Sequence, residues 1–128
     1  WSVTSYKQLR EEALRAERWN RLHPGRPQRI PYVTQALQQT EGPVVAVTDF
    51  MKLVPDQIAR WVPHPFMPLG TDGFGRSDTR AKLRRFFETD AAHVTVAVLR
   101  ALGKDDEVAD AIARYGIDPD APDPSLPG

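Results

Sequence analysis

The chain has 128 residues, one domain's worth, and its 17 Lys plus Arg balance 17 Asp plus Glu. Zero net charge leaves no positive surplus for a nucleic acid or an anionic membrane as main partner. The absence of cysteine excludes a disulfide framework, a thiolate zinc site and a cysteine nucleophile, and apolar runs such as Val94 to Leu99 are too short to span a bilayer. A soluble cytoplasmic protein is the expectation.

Trp1 to Thr4 alternates like a half-length strand, and the sheet is therefore expected to lack its first strand and helix. Ser5-Tyr6-Lys7-Gln8 is a capping box that opens a helix over Tyr6 to Leu22. Tyr6, Leu9, Ala13, Ala16 and Trp19 mark its inner stripe; Arg10, Glu11, Glu17 and Arg18 read as a solvated face. His23-Pro24-Gly25 ends it, and Pro31 opens a short helix over Tyr32 to Gln39.

Val44 to Thr48 is an unbroken apolar, β-branched run, which fits an interior strand covered by helices on both faces. A helix is expected between Asp49 and Trp61, with Ile58 and Trp61 on its core face. Phe66 to Leu69 is the next strand, parallel to the first. Helices follow at Thr79 to Phe87, at Ala91 to Leu102 capped by Asp90, and at Glu107 to Tyr115 capped by Asp105 and stopped by Gly116. Val94, Val98, Leu99 and Leu102 suit burial on the second of these.

Alternating strands and helices define an α/β class: three layers, αβα, with a small, mostly parallel sheet of about three strands. The α/β domain is expected over residues 1–117. Residues 118–128 hold four prolines and read as a polar tail, on a surface or loose in water.

The stretch Leu69 to Arg80 carries Gly70, Gly73 and Gly75 between a strand and a helix. Such loops lie at the ligand-facing edge of open α/β sheets, and at least one of these glycines is expected at positive φ. Phe74 is expected to pack inward as the loop's anchor. Ser77 and Asp78 can cap the helix, and a carboxylate there would occupy the place of a bound anion. No Walker or dinucleotide pattern is present. Asp72 and Asp78 read as turn and cap residues rather than an acid–base pair. His23, His64 and His93 are isolated, with no second ligand at metal spacing. No catalytic, cofactor-binding or metal-binding residue can be assigned.

Longer blocks add a resemblance. Trp1 to Ser5, Glu17 to Pro24, Val47 to Lys52, Asp56 to Pro63, the Leu69 to Arg80 loop and Leu83 to Glu88 together resemble the C-terminal domain of the homodimeric bacterial pyruvate dehydrogenases, over nearly the whole chain. Phe74-Gly75-Arg76-Ser77 is also similar to a transketolase loop.

The resemblance implies a parent enzyme, the first component of its complex. That enzyme decarboxylates pyruvate on thiamin diphosphate and magnesium and passes the acetyl group to the lipoyl group of dihydrolipoyl acetyltransferase. It implies that the cofactor and catalytic residues belong to upstream domains of the same polypeptide, and that this segment supports the dimer. A free-standing interaction or docking module, and a small anion-binding regulatory domain, are the alternative readings.

Overall fold

The structure, a computed structural model, describes residues 1–73 and 75–126. Helix α1 spans Tyr6–Leu22 and starts as the capping box requires: the extended Ser5 accepts the Gln8 N–H on its hydroxyl at 3.2 Å. Ala13 and Ala16 are its buried positions. Past its end, the Asn20 side chain brackets the backbone of Arg29, donating to its carbonyl (2.9 Å) and accepting its N–H (2.7 Å). The Arg29 guanidinium lies 4.0 Å from the Trp19 ring centroid. These contacts fold the proline-rich connection back along α1.

Helix α2, Tyr32–Gln38, begins after Pro31, where a proline needs no N–H. Its first N–H, from Tyr32, reaches Glu12 of α1 at 2.9 Å. Strands β1 (Val44–Val47) and β2 (Phe66–Leu69) pair in parallel, Val44 opposite Phe66 and Val47 opposite Leu69. A parallel pair needs a long crossover; here it holds a short helix α3, Leu53–Asp56, and a 3₁₀ turn, Ala59–Trp61.

The core lies between α1, α2 and the 3₁₀ turn. Ala13, Val33, Ile58, Trp61 and Val62 form its buried centre, with Val44 and Phe66 of the sheet packed against it. Helices α4 (Arg80–Phe86), α5 (Ala91–Ala101) and α6 (Asp105–Arg114) follow β2, and α5 contacts both strands and α6. Arg85 ties the three together: it donates to Asp90 at the start of α5 (3.3 Å) and to the Tyr115 carbonyl after α6 (2.7 Å).

The molecule is thus a small α/β domain with a parallel sheet, as the sequence indicates. Several details differ. Among the described residues the sheet has two strands, and residues 1–4 are not in a strand; Trp1 is 86% exposed. Alternation alone makes no strand where no ladder partner lies alongside.

β1 is consequently not interior, and its last residue, Val47, is exposed. The single helix expected before Trp61 is two pieces, because the chain tightens to bonds three residues apart from Gln57 onward. Ile58 and Trp61 still share the core face, since three-residue spacing serves either helix.

On α5 the buried residues are Ala92 and Ala97, whereas Val98 and Leu102 are exposed. The last helix starts two residues earlier than expected, and Asp105 is its first residue rather than its cap. Asp105, Asp106 and Glu107 act there through the helix dipole, and Asp105 pairs with Arg100 at 2.6 Å.

Candidate functional site

The carboxyl ends of β1 and β2 run into two loops that lie against each other. Thr71, two residues past β2, donates its N–H to the Phe50 carbonyl (2.8 Å) and its hydroxyl to the Asp49 carbonyl (2.6 Å). Asp72 accepts the Lys52 N–H at 3.0 Å. Lys52 precedes α3, so Asp72 is a cap supplied from another loop, satisfying an N–H that the helix cannot.

Two of the three glycines are required by contacts. A Cβ on Gly70 would stand 2.6 Å from the Phe50 carbonyl oxygen and 2.9 Å from the Lys52 nitrogen, both backbone atoms. Gly73 has φ of 116°, the positive value expected of at least one of them, and a Cβ there would strike the Pro124 carbonyl. The C-terminal segment is therefore seated on the loop. A hollow of about 190 Å³ between them is walled by Lys52, Asp72, Glu88 and Asp123. The hydroxyl and N–H of Ser125 hold the Asp123 carboxyl below its usual range, with a smaller contribution from Lys52. Gly75 has open space around it.

The cap of α4 is Thr79, whose hydroxyl accepts the Lys82 N–H, and not Ser77 or Asp78. Asp78 instead accepts the Thr79 N–H at 2.8 Å. Asp72 and Asp78 thus serve separate backbone groups. The expected burial of Phe74 falls outside the described residues.

The three histidines are held singly. His23 stacks on Trp19 and contacts its carbonyl at 2.7 Å; His64 contacts the Leu37 carbonyl at 2.9 Å. His93 lies 2.6 Å from Asp90, the cap of α5. Burial pushes the Asp90 carboxyl up, but the His93 N–H, its ring and charge, and Arg85 together hold it below the usual carboxylate value.

Beside the glycine loop opens a cleft of about 360 Å³. Arg76, Arg80 and Arg84 line it, with Asp49 opposite and Leu83 and Phe87 as an apolar wall. No expectation from the sequence covered these arginines. The signal for the cleft was present: arginines at 76, 80 and 84 repeat every four residues, which aligns two of them on one helix face.

Fold and site define a small α/β domain whose strand-end edge is a glycine loop clasped by a neighbouring loop and by the C-terminal segment. The chain belongs to the transketolase-like TK C-terminal domain family, whose profile matches residues 1–90.

It is similar to the pyruvate dehydrogenase E1 component of Pseudomonas aeruginosa, with 52% identity across 97% of the chain and 15% of the relative. It is 52% identical to that of Mycobacterium tuberculosis over 84% of the chain and 12% of the relative. To that of Escherichia coli strain K12 it is 47% identical over 98% and 15%. The resemblance to bacterial pyruvate dehydrogenases therefore holds over nearly all of the chain, which spans about a seventh of the length of these relatives.

Proposed function

We propose that this chain is one domain of a bacterial pyruvate dehydrogenase and that its part there is structural. The observation that carries the reading is the 52% identity to the Pseudomonas aeruginosa E1 component across 97% of the chain. The parent enzyme would decarboxylate pyruvate with thiamin diphosphate and magnesium and deliver the acetyl group to dihydrolipoyl acetyltransferase. Bound thiamin diphosphate supplies an electron sink for the carbanion left by carbon dioxide.

The residues described here do not fit that cofactor. Among them no three His, Asp or Glu side chains are placed to hold a metal ion, and Asp72 and Asp78 are engaged with backbone N–H groups. In this reading the cofactor is held by other domains of the same polypeptide, and this one supplies no catalytic side chain.

Among the described residues, Phe50 (69% exposed), Met51 and Leu53 (68%) form an apolar surface suited to packing on those domains or on a dimer partner. No described helix is long and apolar enough to cross a membrane.

The test is a chimera. The corresponding segment of the Escherichia coli E1 component is deleted, or replaced by this chain, and dimer formation and pyruvate-dependent acetylation of the lipoyl group are measured. Deletion should abolish both, and replacement should restore both. A deleted enzyme that keeps its activity, or a well-folded chimera that fails to dimerise, would show that the segment is a separate docking module.

A further inference from the structure

We propose that the cleft beside the glycine loop binds a small organic phosphate, an inference independent of the parent enzyme's chemistry. Arg76, Arg80 and Arg84 line it, against the one carboxylate of Asp49. The chain as a whole is neutral, so this is a local concentration of positive charge.

The arginines are not consumed by the fold. Among the described residues the Arg80 side chain has no hydrogen-bond or ion-pair partner, and Arg84 meets Asp49 only at 3.9 Å. Arg76 is oriented by the face of Phe86, 4.0 Å from the ring centroid, which leaves its N–H groups available around the rim. Like charges four apart on one helix face weaken it slightly, a repulsion between Arg80 and Arg84 that Asp49 offsets only from 3.9 Å and that a bound anion would relieve.

A phosphate suits the arrangement, because guanidinium N–H pairs match its oxygens two at a time. Asp78 was the obstacle to an anion in this loop. Its carboxylate is turned onto the Thr79 N–H and stands outside the cleft wall. The apolar wall of Leu83 and Phe87 favours an ester over the bare ion, and the volume of about 360 Å³ lies at the lower end of small-ligand sites.

The test is calorimetric titration of the chain with inorganic phosphate and with phenyl phosphate, at low salt and without magnesium. Amide shifts are followed by NMR at Gly73, Gly75 and Arg80. Phenyl phosphate should saturate one site and bind at least threefold more tightly than inorganic phosphate. Arg80→Gln and Arg84→Gln should each weaken it tenfold or more, while Lys82→Gln, on the same helix but outside the cleft wall, should change it less than twofold.

Added magnesium should weaken binding, because it takes up the phosphate oxygens that the arginines need. Absence of saturable binding, equal weakening by Lys82→Gln, or shifts confined to other parts of the chain would each overturn the proposal. Should an arginine variant unfold, as read by circular dichroism, the shift map of the unaltered chain decides.

Discussion

Glu17 joins two elements through one carboxylate. It accepts the indole N–H of Trp61 at 2.8 Å and the Arg60 guanidinium at 2.7 Å. Trp61 is only 9% exposed, so removing the acceptor strands a largely buried donor, which costs about 1–3 kcal/mol. Glu17→Ala should lower stability by about that amount in urea unfolding, and Glu17→Gln, which keeps an acceptor oxygen, by less. A loss below about 0.5 kcal/mol, the level of ordinary surface changes, would show that solvent already serves the indole.

The glycines give a second contrast at this scale. Gly70→Ala drives a Cβ into two backbone atoms and should destabilise by about 1–3 kcal/mol, whereas Gly75→Ala meets nothing and should stay within about 0.5 kcal/mol. Equal effects on the unfolding midpoint would refute the close approach at Gly70. Glu17 read as solvated because it is charged, although it stands four residues after Ala13, at the edge of the buried stripe; its partners come from 43 and 44 residues away, a distance no local pattern spans.

Among the elements, α5 depends on Asp90. Its carboxylate accepts the His93 N–H at 3.0 Å and the Arg85 guanidinium at 3.3 Å. The folded state holds this carboxyl below its ordinary value of 3.8. A lowered value means that the folded chain prefers the ionised form. The stabilisation is complete above the unfolded value and is lost as pH falls below it through the folded one. Asp90→Asn should therefore be less stable than the unaltered chain at pH 6, and the gap should close as pH falls below the ordinary carboxylate value of 3.8. A gap independent of pH would mean that the carboxylate charge contributes nothing.

The Asp90 cap was legible because its neighbours in sequence are its partners. The same reasoning misplaced Asp105. A reversal at Gly103, with φ of 73°, returns the Lys104 N–H to the Leu99 carbonyl, so the helix starts directly after Lys104. An acid at the first helical position and one at the cap look alike in sequence. The strands were read to within a residue from their β-branched or apolar runs. The number of strands and the exposure of Val47, Val98 and Leu102 depend on which surfaces lie alongside, which one segment's pattern does not carry.

At the scale of the whole molecule, the glycine loop was legible as a joint between strand and helix, but its neighbours were not. Residues 48–52 and 123–125 reach it from both sides in sequence, and its contacts explain Gly70 and Gly73 as close approaches of backbone. A loop shaped by three chain segments fits the proposal that this domain presents surface to the rest of a longer enzyme. The central proposal is that this chain contributes no thiamin site.

Its most direct test is an assay of carbon dioxide release from pyruvate by the isolated chain, with thiamin diphosphate titrated in the presence and absence of magnesium. No carbon dioxide should be released, and no thiamin diphosphate binding should require the metal. Turnover, or magnesium-dependent binding abolished by Asp72→Ala or Asp78→Ala, would contradict the claim and place an active site within these residues.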